Sequence, residues 1–149
     1  MKAKFLSLLV AAMIIFNVSY ANNTEGNVNE TVLNSFSNQF EKAADVQWIK
    51  TPEYYKATFN WNGQYLTAFY DEKGASIAVS RNLLPNELPL LLQTNLADQY
   101  NGYWVSELFE YDTIDNNKYY ITIENANKKI ILESMDNSYW EVFKKSNKE

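Results

Sequence analysis

The sequence predicts an α+β fold in which a helix followed by an antiparallel β-meander occurs twice in tandem, with both helices packed on one face of the sheet. Three observations lead there. Two segments carry apolar residues at helical spacing, and each is followed by several strands of period two. Short clusters of turn-forming residues separate those strands. The two halves also present similar motifs in the same order, as a duplicated unit would.

The N-terminal stretch has a different character. Lys2 and Lys4 precede a run of apolar and small residues over 5–16, broken by Ser7, and Ser19-Tyr20-Ala21 puts small residues before a cleavage point. This is the layout of a secretory signal peptide over residues 1–21. The run falls short of the roughly 20 apolar residues that a bilayer-crossing helix needs, and no later segment reaches that length. Cleavage after Ala21 leaves 149 − 21 = 128 residues. That is one domain over 22–149, long enough to close a core unaided. The expected location is the periplasm or the medium, with no membrane span after cleavage.

Residues 22–27 are polar and read as a loose leader. Asn29 reads as an N-cap and Glu30 as a first-turn acid that suits the helix dipole. Val32, Leu33, Phe36 and Phe40 then predict a helix over 30–43. From Val46 the period becomes two, and strands are predicted over 46–49, 54–61, 64–70 and 75–81. Pro52-Glu53 turns the first pair. Asn62-Gly63 turns the second, since both turn positions require positive φ. Asp71 to Gly74 turns the third.

The pattern then restarts. A second helix is predicted over 87–100, with Pro89 tolerated in its first turn and Asn101-Gly102 ending it as a glycine C-cap. Leu88, Leu91, Leu92, Leu96 and Tyr100 form its apolar face. Strands follow over 103–111, 118–125, 129–135 and 139–143. Asn38-Gln39-Phe40 is matched by Asp98-Gln99-Tyr100, 98 − 38 = 60 residues on, and Tyr54-Tyr55, Asn62 and Asp71 are matched by Tyr119-Tyr120, Asn127 and Asp136, at an offset of 119 − 54 = 65 residues. The half-repeats span about 28–81 and 84–145.

These residues also carry a family likeness. Ala43-x-x-Val46-x-Trp48, Tyr55-x-Ala57-x-Phe59, Asn62-Gly63, Ala68-x-Tyr70-Asp71-x-x-Gly74 and Leu84-Pro85, in that order, resemble the β-lactamase-inhibitor-like, PepSY-like domains that many Gram-negative bacteria export. The likeness covers about residues 28–144 and rests on order and spacing, because each motif is a loose pattern of aromatics and turns. The second half departs more, with Ser138 where the first has Gly74. The resemblance implies a sheet with helices on one face and no catalytic residues. Relatives of this architecture include protein inhibitors of secreted enzymes, an analogy of fold.

Composition narrows the function. Without Lys2 and Lys4 the chain has 13 − 2 = 11 basic residues against 18 acidic ones. So acidic a surface gives no help in approaching nucleic acid or anionic lipid. There is no Cys and no His, which removes disulfide staples, imidazole bases, thiolate nucleophiles and ordinary zinc sites. No cofactor, metal site or catalytic residue is assigned. The 4 Trp, 11 Tyr and 8 Phe supply core and interface material.

Alternation divides the strand residues into two sets. Tyr55, Ala57, Phe59, Trp61, Leu66, Ala68, Tyr70, Ile77, Val79, Tyr119, Ile121, Ile123, Ile130 and Leu132 are expected beneath the helices. The other set faces away: Tyr54, Lys56, Thr58, Tyr65, Thr67, Phe69, Tyr120 and Thr122, with Glu124 beyond them. An antiparallel sheet can leave one side in water, and aromatics interleaved with Thr and a few charges have the composition of an interface centre. Those eight residues are the candidate partner-binding set, although strand propensity and cross-strand pairing account for the same composition. Tyr103, Trp104 and Trp140 are candidates for its rim or for packing.

Three weaker patterns remain. Asp71-Glu72-x-Gly74 and the pair Asp112 and Asp115 lack the spacing of a calcium loop and read as turns. Asp112-Thr113-Ile114 resembles a site of bacterial O-glycosylation. No pair of acidic residues stands out as the couple a glycosidase needs. The expected function is therefore a non-catalytic exported module that engages a protein or peptide of the envelope or medium, with inhibition of an exported hydrolase as one form. A carboxylate-dependent envelope hydrolase and a structural or assembly protein are the alternatives.

Overall fold

Asn29 opens the first helix, α1 (Glu30–Gln39), as expected, its side chain accepting the backbone N–H of Val32 at 2.9 Å. The structure is a computed structural model in which residues 28–148 are described. The signal peptide assigned to 1–21 and the leader over 22–27 lie outside the described residues. Asn29 also donates its amide to the carbonyl of Glu72 at 2.8 Å, which ties the helix start to the turn over 71–74. Gly74 sits in that turn at φ +77°, and a Cβ on it would fall 2.9 Å from the carbonyl of Thr31 and 2.8 Å from the hydroxyl of Ser35. Both the backbone angle and the close approach to α1 call for glycine.

The helix ends at Gln39 rather than 43. Phe40 caps it by donating its N–H to Phe36, and Lys42 follows at φ 65°, a reversal that brings the chain straight into the sheet. Four strands come next: β1 (Ala44–Lys50), β2 (Tyr55–Trp61), β3 (Gln64–Tyr70) and β4 (Ser76–Asn82). A 3₁₀ turn (Pro85–Glu87) precedes the second helix, α2 (Leu90–Gln99). That helix starts later than 87 because Leu88 and Pro89 are extended, as a residue before proline tends to be. β5 (Trp104–Asp112), β6 (Asn117–Glu124), β7 (Lys128–Ser134) and β8 (Glu141–Asn147) complete the chain.

All of these strands form one antiparallel sheet of 8 strands in sequence order, β1 to β8. β4 and β5 join the halves through Val79 to Asn82 paired with Asp112 to Phe109. The pairing then stops, and Leu83 makes one last bond, to the carbonyl of Leu108 at 3.0 Å, before the chain leaves for α2.

The two helices lie on the same face, which the register carries across the junction: Leu66 pairs with Arg81, Arg81 with Glu110, and Glu110 with Tyr119. Under α1, Val32, Phe36 and Phe40 pack on Trp48, Tyr55, Ala57, Phe59, Leu66, Ala68 and Tyr70. Under α2, Leu92, with Leu83 and Leu88 from the preceding turn, packs on Leu108, Tyr119, Ile121, Ile123, Ile130, Leu132 and Trp140. The sites correspond one residue away from the matching expected: Tyr55, Phe59 and Leu66 sit in the first cluster where Tyr119, Ile123 and Ile130 sit in the second, so Tyr55 matches Tyr119, and Tyr120 faces the other side. β1 and β5 also each carry a register shift near their starts.

One assignment is corrected, and two residues left open between rim and packing are found to pack. Ile77 packs on the opposite face, because a register shift between Phe69 and Tyr70 breaks the alternation in β4. Trp140 does not rim the far face; it is buried in the second cluster and donates its indole N–H to the carbonyl of Leu92 at 3.0 Å. The last strand therefore begins only at Glu141. Tyr103 likewise packs edge-on against Tyr100 beside α2.

Candidate docking face

Among the described residues the sheet's far face carries no helix, and it carries a third apolar cluster. Phe69, Ala78, Phe109, Tyr111 and Tyr120 are buried there, with Tyr54, Ile77 and Phe143 packed around them. Neighbouring rings cover one another: Tyr54 meets Phe69 edge-on at 5.6 Å, Phe109 stacks on Tyr120 at 5.4 Å, and Phe143 meets Tyr120 at 5.8 Å.

This divides the eight residues assigned to the face. Register places seven of them on the side away from the helices, and Tyr54 joins them by packing on Phe69. Tyr65 stands clear, 64% exposed, and Tyr54, Lys56, Thr58 and Thr67 are half-buried. Phe69, Tyr120 and Thr122 are buried instead of displayed, at 1%, 2% and 1% exposure. Tyr120 donates its hydroxyl to Glu133 at 3.0 Å, and Thr122 donates to Glu107 at 3.3 Å. Of the residues considered for the rim, Trp104 holds that place, half-exposed opposite Glu124, with the Lys148 ammonium 4.6 Å over its ring.

Several residues of the face were not anticipated. Phe109, Tyr111 and Glu107 come from β5, and Ser80 and Asn82 from β4. Their parity along each strand was readable. The pairing of β4 with β5 that brings them beside Thr67 was not, because a helix intervenes between the two strands.

Where β4 leaves the sheet, the face is hollowed by a pocket of about 400 Å³. Lys56, Thr67, Ser80, Asn82, Ser106 and Glu107 give it polar walls, and Phe69, Leu83, Leu108 and Phe109 an apolar floor. Residues of β2 and β5, three strands apart, line one pocket, so the sheet curls toward this side.

Burial shapes the titrating groups. It pushes the Lys56 ammonium down and the Tyr111 and Tyr120 hydroxyls up, Tyr120 also because the Glu133 carboxylate faces it. The Tyr54 hydroxyl is raised by burial and then by Glu53. At the face's edge, hydrogen bonds from Lys148 and Ser106 hold the Glu124 carboxyl down at about 2. On the helix side, burial would raise Glu110, but bonds from Asn117 and Arg81 outweigh it and keep its pKa low.

Local bonds occupy residues of two of the weaker patterns, and Asp136 in the matching turn. The Asp71 carboxylate accepts the backbone N–H groups of Lys73 and Ala75 at 2.9 and 2.8 Å, and Asp136 accepts that of Ser138 at 3.0 Å, as turn-forming aspartates do. The Thr113 hydroxyl closes its own turn with Asn116.

No protein-family model matches the chain, and no curated protein does. Solved structures do. A DUF2874 family protein from Bacteroides uniformis is 17% identical, with a TM-score of 0.71 over 80% of this chain and 88% of that one. A candidate periplasmic protein from Bacteroides eggerthii is 14% identical, with a TM-score of 0.72 over 80% of this chain and 88% of its own. A BLIP-like protein from Bacteroides fragilis is 16% identical, with a TM-score of 0.66 over 80% and 85%. At these identities the likeness is one of fold, and the fold of this chain is the BLIP-like one.

Proposed function

We propose that the chain is a non-catalytic exported binding module that engages a protein or extended peptide through the face away from the helices, and that inhibition of an exported hydrolase is one form this takes. The observation that carries the reading is the hollowed face itself. A rigid floor of mutually packed rings is bordered by half-buried polar groups and by exposed Tyr65 and Trp104. Rings held in place before contact lose little freedom on binding, which favours tight association. The Bacteroides eggerthii neighbour supports an exported location, and the Bacteroides fragilis neighbour a protein partner.

The carboxylates favour binding over hydrolysis. A general acid needs a raised pKa, whereas the carboxyls with a perturbed pKa among the described residues, Glu110, Glu124 and Asp136, are all shifted down. The matching helix lengths, corresponding core positions and shared register shifts of the halves support descent of the sheet from a duplicated helix-plus-meander unit.

The test is affinity capture from periplasm and medium with three baits: the unaltered protein, the double variant Tyr65→Ala with Trp104→Ala, and Leu91→Asp on the exposed side of α2. One partner should be enriched by the first and third baits and lost by the second. A partner that survives the face substitutions and disappears with Leu91→Asp would overturn the reading.

A further inference from the structure

We propose that the pocket on this face is a carboxylate site, in which Lys56 receives an aspartate or glutamate side chain of the protein partner. The proposal rests on the docking reading above and specifies what that partner must present. Lys56 stands half-buried on β2, and among the described residues no carboxylate lies within ion-pair distance of it. Arg81 and Lys148, by contrast, are already matched to Glu110 and Glu124. A half-buried cation without a counter-charge is partly stripped of water at a cost, so an arriving carboxylate gains more here than on open surface. The depressed pKa of Lys56 agrees with that geometry.

The walls fit the same ligand. Thr67, Ser80 and Asn82 line the pocket with side chains uncommitted to hydrogen bonds among the described residues, so a second carboxylate oxygen has donors to meet. Phe69 and Phe109 give the floor an apolar surface for the methylene stem. Glu107, which accepts the Thr122 hydroxyl, lines the same pocket and repels any anion there, a doubly charged one more strongly than a singly charged one. That favours a singly charged carboxylate over a phosphate or sulfate. The surroundings favour a side chain over a free acid, because the pocket opens within a broad face bordered by exposed rings.

The test is an amide NMR titration of the purified protein with four probes: N-acetylglutamate N-methylamide, its glutamine counterpart, acetate and inorganic phosphate. The blocked glutamate should give saturable shifts at Thr67, Ser80 and Asn82, at least tenfold tighter than the glutamine compound and tighter than phosphate. Lys56→Met should lose the response while keeping the melting temperature, and Lys56→Arg should retain it. Equal binding of the glutamate and glutamine compounds, an unchanged response in Lys56→Met, or tighter binding of phosphate would overturn the proposal. Acetate binding as tightly as the blocked glutamate would make this a small-acid site and overturn the side-chain assignment. The two readings fail separately. Glutamate binding with a partner indifferent to Tyr65 and Trp104 removes the docking face and leaves the site. Partner loss in those variants without any glutamate response removes the site and leaves the face.

Discussion

Phe109 stacks on Tyr120 with ring centroids 5.4 Å apart and planes inclined by 22°, on the side of the sheet opposite α1 and α2. The pair makes this face a core in its own right. Tyr120 is 2% exposed and holds Glu133 through its hydroxyl. Tyr120→Ala should therefore destabilise the fold by about 3 kcal/mol, the lower end of what losing a buried ring costs. Tyr120→Phe should cost about 1 kcal/mol, the worth of one hydrogen bond. Denaturant unfolding of both variants checks the ordering, and an alanine variant as stable as the parent would show that the rings on this face carry no load.

Tyr65 provides the contrast. It lies on the same face but is 64% exposed, so Tyr65→Ala should change stability by no more than about 0.5 kcal/mol. This difference decides which residues can test function. A substitution at Tyr120 confounds folding with binding, whereas one at Tyr65 reports binding alone. A melting curve for Tyr65→Ala that departs clearly from the parent would show that the ring packs more than its exposure implies.

What was legible in the sequence follows from how local each signal is. Asn29, Asn62-Gly63 and Asp71 act on their neighbours, and the first helix start and the second and third hairpins fall close to where those residues put them. The ends of elements moved: α1 stops at Gln39, where Phe40 caps it and Lys42 reverses the chain at φ 65° into the sheet, and β8 starts after Trp140 has turned under α2. The parity of the candidate face was readable from alternation, and so all eight residues share a side. Their burial was not, because it depends on Phe109, Tyr111 and Phe143, which arrive from strands distant in sequence. The pocket was invisible for the same reason, since it forms where β4 parts from β5.

Gly74 tests how closely the third turn is pressed against α1. Gly63 and Gly74 have similar backbone angles, φ +82° and +77°, but a Cβ at Gly63 meets nothing within 4 Å whereas one at Gly74 would lie 2.9 Å from the carbonyl of Thr31. Gly63→Ala should cost about 1 kcal/mol from the left-handed angle alone. Gly74→Ala should cost clearly more, since backbone must move as well. Equal losses for the two variants in chemical unfolding would mean that the turn and the helix separate freely.

Glu124 sets an acid limit for the far end of the face. Its carboxyl is held at about 2, against an ordinary 4.5, by hydrogen bonds from Lys148 and Ser106 and by the nearby Lys129 charge. A carboxyl whose pKa is lower in the folded state binds protons more readily when unfolded. Its contribution is therefore complete above the ordinary value and is lost as pH falls from about 4.5 toward 2. Glu124→Gln removes the titrating group, so the stability gap between parent and variant should be constant near neutrality and should close over that window. The same protonation releases Lys148, whose ammonium lies over Trp104, so the tryptophan fluorescence of the parent, but not of Glu124→Gln, should change across those pH values. Unfolding free energies measured from pH 7 to pH 2 check both. If the gap persists unchanged at pH 2, Glu124 is not bound to Lys148 strongly enough to hold the C-terminal strand's end against the rim of the face.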